Sequence, residues 1–412
     1  MSKPTFTVII PTINRPETLF YTLRTVLNNQ NYQDYSVIVS DNFSNDNTKD
    51  VVDSFGSNKV TYINPGKRLS MSRHWEFALS HVTTGFVTIL GDDDGLIPNG
   101  LEKVAKILEK NEGIRAVGWR FGNFNWKGLN PYFMIPMGNY YRVVDSKSEV
   151  EKIFQENIYN TIQFPSLYGG FIDISLIREL KEKNGGTFFH SRIPDFFSGA
   201  MVAASLKEYI RIEFPITINA TSKFSTGFAT INKKNDQKAY NDLVKGDDNI
   251  PFHEKLVFIR SNAVPISEAM LQVSKLVSTF PSVDIKKIIR QVFIEAQSAA
   301  TSEEHDDLKK GALEIAELNG LEGFALEIDR QTKHLPIPHI VKEKFSPVSL
   351  TLYIDSRKSG TDTVEDACLL VNKLLPSNFI KVSDRISLLY IRLSVSIRFL
   401  YLKFFSKASN FL

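Results

Sequence analysis

Short apolar runs alternate with amphipathic segments over the first 110 or so residues. Phe6-Thr-Val-Ile-Ile10, Tyr35-Ser-Val-Ile-Val39, Val60-Thr-Tyr-Ile63 and Phe86-Val-Thr-Ile-Leu90 are β-rich runs with the length and composition of interior strands. Between them Leu19, Leu23, Val26 and Leu27 recur at helical spacing, then Trp75, Ala78, Leu79 and Val82, then Leu101, Val104, Ala105 and Leu108. Each set gives a helix one apolar face. Asn14-Arg15-Pro16-Glu17 reads as a helix start, with proline near the first position and an acid in the first turn. Strands alternating with helices over short connections predict an α/β fold, a mostly parallel sheet flanked by helices.

From about residue 114 the pattern loosens. Ala116-Val-Gly-Trp119 reads as a strand, followed by an aromatic, Gly- and Pro-rich stretch through Tyr141. Helices are expected over 146–156, over 175–183 and after Pro194, with a loop and short strand over 165–171 and one last strand over 210–218. Residues 230–249 are polar and lysine-rich, the texture of a mobile loop. Beyond Pro251 helical spacing dominates, with single helices expected over 283–300 and 306–329. The expected units are residues 1–250, a mainly α-helical region over 251–384, and a tail over 385–412. After Asp384 the tail has no acid, while Arg385, Arg392, Arg398, Lys403 and Lys407 are basic and Ile, Leu and Phe fill much of the rest. On a helix, Arg385, Arg392, Ser396, Lys403 and Lys407 share one sector and Arg398 lies opposite. Such a basic amphipathic segment suits an anionic membrane surface; packing on the helical region or on a second subunit is the alternative.

Size and composition narrow the class. The chain has 412 residues and a formal charge of +3, too small to point to nucleic acid. Cys368 is its single cysteine, so no internal disulfide forms and a reducing compartment, the cytoplasm, is expected. The first residues carry no apolar leader, and no uncharged run approaches the ~20 residues of a membrane span. The expectation is a cytoplasmic protein, free or peripheral on the inner membrane face, with its oligomeric state open.

The candidate chemistry begins at Leu90-Gly-Asp-Asp-Asp-Gly95, where an interior strand runs into three carboxylates. Adjacent carboxylates repel unless solvent or a cation screens them, and a hard ion such as Mg²⁺ or Mn²⁺ bridges carboxylate to diphosphate oxygens. An isolated acidic run is otherwise a solvated turn. Ligands of open α/β sheets bind beyond the carboxyl ends of the strands, and two more strand ends deliver Pro11, Thr12, Asn14 and Arg15, and Ser40-Asp41-Asn42. Asp41 could accept from the imide of a pyrimidine, and Arg15 or Arg73 could meet phosphate.

Together Val8-Ile-Ile-Pro-Thr-Ile-Asn-Arg-Pro16, Val37-Ile-Val-Ser-Asp-Asn42, the 69–79 helix and Leu90-Gly-Asp-Asp-Asp-Gly95 resemble glycosyltransferase family 2, the nucleotide-sugar transferases of the GT-A fold. The resemblance covers roughly residues 5–225. It implies that Thr12, Asn14 and Asp41 border the nucleoside of a nucleoside-diphosphate-sugar donor, a UDP-sugar being expected. The family motif usually reads Leu-Asp-x-Asp-Asp, so Gly91 replaces its first acid; the metal role moves to Asp93, with Asp92 and Asp94 helping. Asp195, in Ile193-Pro-Asp-Phe-Phe-Ser198, looks like the general base of the inverting members; a first-turn acid or helix cap is its plain alternative. The implied acceptor is a hydroxyl of a glycan or glycolipid, as in cell-surface polysaccharide synthesis. A nucleotidyltransferase of related fold would want a basic, Gly-rich loop after the first strand, which residues 11–16 do not provide. A non-catalytic sugar- or membrane-binding relative is the other alternative, with Gly91 as its support.

Overall fold

A computed structural model of the chain describes residues 3–157, 159, 163–223, 225, 250–336, 343–376, 379–382 and 388–397. Strands β1 (Phe6–Thr12), β2 (Tyr35–Asp41), β3 (Val60–Ile63) and β4 (Phe86–Ile89) form where the apolar runs predict them, joined by helices α1 (Pro16–Leu27), α2 (Thr48–Ser54) and α3 (Met71–Leu79). β1 pairs in parallel with β2 and β4, and β2 with β3. Their carboxyl ends therefore open on one side. Along β1, Val8 and Ile10 belong to one apolar cluster and Ile9 to the other, the two-residue period of a sheet buried on both faces.

The short β5 (Gly95–Leu96) and α4 (Gly100–Glu109) come next, then β6 (Ala116–Trp119), β7 (Gly122–Asn125), β8 (Phe133–Pro136), β9 (Tyr140–Asp145) and α5 (Ser146–Glu156). β10 (Gly170–Asp173), α6 (Ile174–Lys183), α7 (Pro194–Ser205), β11 (Glu208–Ile212) and β12 (Thr217–Thr221) complete this part. The loosely patterned stretch after Trp119 thus holds three further strands. The single strand expected over 210–218 is two, since Pro215 has no N–H for a ladder and β11 and β12 lie in different sheets.

Past residue 250 the chain forms α8 (Ala263–Leu276), α9 (Ile285–Gln297), α10 (Ser302–Leu318) and α11 (Glu322–Gln331). The one helix expected over 306–329 breaks after Asn319, where Gly320 takes φ 64°, the left-handed ending that favours glycine. Then the chain turns back, and β13 (Lys344–Ser346), β14 (Thr351–Ile354), α12 (Val364–Leu374) and β15 (Ile380–Lys381) rejoin the sheets.

One sheet has nine strands in the order β15-β9-β11-β6-β10-β4-β1-β2-β3; the other has six, β13-β14-β8-β7-β12-β5. In the larger, β10 runs antiparallel to β4 and β6, and β9 to β11, while the remaining neighbours are parallel. β4 belongs to one sheet and β5 to the other, so Asp92–Asp94 sit where the chain crosses between them. The apolar cluster on one face joins α3, α6 and α7 to α8–α11; the other joins α1, α4, α12 and the smaller sheet.

Residues 388–397 are helical. Ile391 and Val395 are buried in the cluster that holds α1 and α12, so this part of the tail packs on the α/β unit and not on α8–α11. Leu389, Tyr390, Leu393 and Ile397 are exposed. Arg385, Arg398, Lys403 and Lys407, like the loop expected over 230–249, lie outside the described residues. Among those described, no helix is long and apolar enough to cross a membrane.

Candidate active site

The three carboxylates at the β4–β5 crossing face three different environments. Asp92 accepts from Thr12 Oγ1 at 2.7 Å and from Arg15 Nη1 at 3.0 Å. β1 and the residue at the start of α1 thus hold the first acid with a hydroxyl and a guanidinium; burial still raises its pKa, against the opposing pull of Arg15. Asp93 accepts at Oδ2 from Ser222 Oγ at 2.7 Å and from Ser225 Oγ, and its carbonyl takes the Trp126 indole N–H at 2.9 Å. Asp94 is turned inward. The Ala220 N–H reaches its Oδ1 at 2.7 Å, and Tyr168 Oη and the Gly91 N–H reach Oδ2. Burial and then the Asp93 charge push its carboxyl up to about 8.

The local sequence explains this arrangement. On α1 the buried Thr22 donates to the Asp94 carbonyl at 2.7 Å, and Thr25 Oγ1 accepts the Leu96 N–H at 3.1 Å, so the helix grips the turn through hydroxyls. A Cβ on Gly91 would lie 2.7 Å from Asp94 Oδ2. With the Asp94 carboxylate folded back against this backbone, an acid at position 91 would require that carboxylate to give up its place. Gly95 answers to packing rather than to a turn: a Cβ there would meet Cys368 Sγ of α12 at 2.5 Å.

Asp41, at the end of β2, is buried and accepts from the Ser44 N–H at 2.9 Å and from Tyr62 Oη. Its neighbour Asn42 pairs both ways with the Leu69 backbone, at 2.9 and 2.8 Å, tying β2 to the start of α3. Asn14 sits at φ 52°; its N–H donates to Ser44 Oγ and its side-chain oxygen accepts the Asn45 N–H. The β1 and β2 loops are thereby knitted into one rim. Pro11 continues β1 opposite Ser40. Beneath the rim, Ser40 Oγ and His74 Nε2 are 2.8 Å apart, and burial lowers the imidazole to about 4, so it is neutral.

Asp195 is the second residue of α7, behind Pro194 at the first. No side chain caps this helix. Its Oδ1 is sealed from solvent with no hydrogen-bond partner, and burial pushes the carboxyl up to about 6. Tyr168 brings it to the acidic turn. The Tyr168 hydroxyl donates to Asp94, and burial together with the charges of Asp94, Asp93 and Asp195 raises its pKa. Tyr168 also stacks on Trp75, with ring centroids 6.3 Å apart. Its loop joins β4 to α7, since the Ile89 N–H donates to the Leu167 carbonyl at 2.7 Å and the Leu167 N–H to Ser198 Oγ at 3.1 Å.

The fold thus gathers Thr12, Asn14, Arg15, Asp41, the three acids and Asp195 on one side. Arg73 lines a cavity of about 290 Å³ with Thr187, His190, Gln272 and Lys275. A larger cavity, about 620 Å³, runs along α4 and α12 beside Lys103, Lys106 and Tyr141 and includes none of the strand-end residues. Trp119 and Phe133, aromatic side chains of the kind that stack on sugar faces, are buried core, while Trp126 serves the backbone of Asp93. Tyr62, Tyr168, Ser222 and Ser225 were not expected. Ser222 and Ser225 follow the last strand in an unpatterned stretch, and only the pairing of β12 with β5 and β7 brings them to Asp93.

No group of three His, Cys, Asp or Glu among the described residues could hold a metal ion by itself. Asp92 is paired with Arg15 and both oxygens of Asp94 are occupied, which leaves Asp93 as the carboxylate best placed to be a ligand. One or two carboxylates completed by substrate phosphates is the usual way Mg²⁺ is held, so the residues fit an ion shared with a diphosphate.

Residues 7–167 match the sequence profile of Glycosyl transferase family 2. The GalNAc(5)-diNAcBac-PP-undecaprenol beta-1,3-glucosyltransferase of Campylobacter jejuni is 32% identical over 123 residues, 29% of this chain and 38% of that protein. An uncharacterized glycosyltransferase of Methanocaldococcus jannaschii is 26% identical over 142 residues, 34% of this chain and 46% of that protein. The chain therefore spans less than half the length of these relatives. Among solved structures, TarS residues 1–349 of S. aureus in complex with UDP-GlcNAc aligns with a TM-score of 0.48 and 12% identity over 80% of this chain and 89% of that one.

Proposed function

We propose that the chain, whose residues 7–167 match glycosyl transferase family 2, moves a sugar from a nucleoside-diphosphate donor to a hydroxyl of a glycan or glycolipid, with inversion at the anomeric carbon. The observation that carries this reading is the approach of Asp195 to the acidic turn through Tyr168. It sets a carboxylate with one unpartnered oxygen, Oδ1, beside the place where a diphosphate would leave.

Each residue then has a task. Asp41 and the Asn14–Ser44 rim border the nucleoside, a uridine in our reading. Arg15, oriented by its ion pair with Asp92, meets the phosphates. Asp93 is the residue that would hold Mn²⁺ or Mg²⁺ together with the diphosphate; bound there, the ion neutralises the charge that grows on the departing phosphate. Asp94 holds the turn. Asp195 removes the proton from the acceptor hydroxyl as its oxygen forms the new bond to the anomeric carbon. The bond from that carbon to the phosphate oxygen breaks, and the nucleoside diphosphate leaves with the electron pair. One displacement from the opposite side inverts the configuration. Glu213 is a poor substitute base, being held by Arg142 at 3.5 Å and Arg211 at 3.9 Å.

The Campylobacter jejuni relative is named for a diphosphate-lipid acceptor, which supports a glycolipid here. The exposed Leu389, Tyr390, Leu393 and Ile397, in a tail otherwise rich in Lys and Arg, support peripheral contact with an anionic membrane. The test is release of nucleoside diphosphate from a panel of nucleotide sugars, with Mn²⁺ and a lipid-linked oligosaccharide. One donor should give product of inverted anomeric configuration, read by NMR. Retained configuration would overturn the mechanism, and no turnover of any donor would overturn the function.

A further inference from the structure

We propose that Glu268, on α8 of the helical region, is a positioning residue for Asp195, so that this region forms part of the transferase site. The inference rests on Asp195 being the base.

Glu268 is fully buried, in a helix whose buried side chains are mostly apolar and which packs against α7 and α9. A carboxylate in such a place is costly unless donors surround it. One of those donors, Ser191, comes from the segment that feeds α7. Ser191 Oγ donates to Glu268 Oε2, and Gln272 Nε2 donates to Oε1 at 2.7 Å. The His253 backbone donates as well.

Ser191 lies four residues ahead of Asp195 and is itself buried. Its Oγ accepts the Ile193 N–H at 3.1 Å, and its carbonyl takes the Ser72 hydroxyl of α3 at 2.7 Å. Residues 191–193 therefore hang between α3 on one side and Glu268 on the other, and they deliver Pro194 to the first position of α7. That helix has no side-chain cap of its own. The Glu268–Ser191 bond does the fixing that a cap would otherwise do, but from a distant element. The chain at 250–253 joins the same cluster, with Arg192 Nε donating to the Ile250 carbonyl at 2.9 Å and Gln272 Nε2 to the Pro251 carbonyl at 3.1 Å.

A fully satisfied buried network orients rigidly. A base displaced by ~1 Å loses up to about 10²-fold in rate, although nothing at Glu268 touches donor or acceptor. A merely structural carboxylate would change melting and leave turnover per folded molecule alone.

The experiment measures kcat and donor affinity on the full chain. Glu268→Ala should lower kcat at least about tenfold with donor affinity unchanged, and Glu268→Gln, which still accepts from Ser191, should recover most of it. Ser191→Ala leaves the carboxylate in place and removes the same bond from the other side. It should reproduce the kcat loss, and it decides the matter should Glu268→Ala not fold. Normal kcat in Ser191→Ala would overturn the inference. Asp195→Asn, run in the same assay, separates the two layers. If it keeps turnover, the base reading falls and this inference with it. If it loses turnover while Ser191→Ala does not, only this inference falls.

Discussion

Replacing Asp195 by Asn should make the protein more stable and nearly inactive, a pairing that few other roles for this residue would produce. Burial pushes its carboxyl from 3.8 up to about 6. With the folded value above the unfolded one, the group's contribution to stability is fully present below 3.8 and is lost as pH rises through 6. At pH 8 the ionised carboxylate therefore opposes folding, by on the order of 2–3 kcal/mol at ~1.4 kcal/mol per pKa unit. Asparagine keeps the size and does not ionise. Asp195→Asn should then melt higher at pH 8, by about 3 °C for a chain of this length, and the difference should shrink toward pH 4. General-base assistance contributes ~10²–10⁴-fold, so transfer should fall by at least about the lower figure while donor binding persists. A first-turn acid acting on the helix dipole predicts the reverse, a lower melting point with normal turnover. Calorimetry and turnover on one preparation separate the two cases. Lower melting with near-wild-type turnover per folded molecule would refute the reasoning.

Further expectations follow from the same geometry. Turnover should decline as pH drops through about 6 and Asp195 takes up a proton; a rate profile flat down to pH 5 would speak against it. Gly91→Asp, which supplies the first acid of the motif this stretch resembles, should lower the melting point and gain no Mn²⁺ affinity, because its Cβ would lie 2.7 Å from Asp94 Oδ2; tighter metal binding with an unchanged melt would show that the departure is not steric. Replacing the exposed Leu389, Leu393 and Ile397 by Ser should release the protein from anionic vesicles without moving the melt, since Ile391 and Val395 remain packed. Equal sedimentation of both forms would exclude that surface.

β1, β2 and β4 were legible because they are buried on both faces, so each run is mostly apolar and bounded by turn residues. β3, half-buried at the sheet edge, was legible from its β-branched and aromatic residues. The acids at their ends were legible for the same reason, since a strand end fixes where a side chain emerges. The smaller sheet was not. Its strands are two to five residues long and their pairings are distant, β14 with β8 and β12 with β5, so no local period records them. Pro215 could have divided β11 from β12. Gly320 could likewise have divided α10 from α11. The partners of the carboxylates were hidden more deeply: Tyr168, Ser222 and Glu268 lie 74, 129 and 77 positions from Asp94, Asp93 and Ser191. The inward turn of Asp94 follows from Gly91 beside it, a steric fact that a motif does not reveal.

The central claim is that the strand ends form a nucleoside-diphosphate site in which Asp93 shares a divalent ion with the ligand. Titration calorimetry with UDP, GDP and the other nucleoside diphosphates, with and without Mn²⁺, tests it most directly. One nucleotide should bind at least about tenfold tighter with Mn²⁺, or ~1.4 kcal/mol, and Mn²⁺ alone should bind weakly because no described cage of side chains awaits it. In Asp93→Ala the gain from metal should vanish. A gain that survives in Asp93→Ala, or the absence of binding by every nucleotide in the presence of metal, would contradict the account.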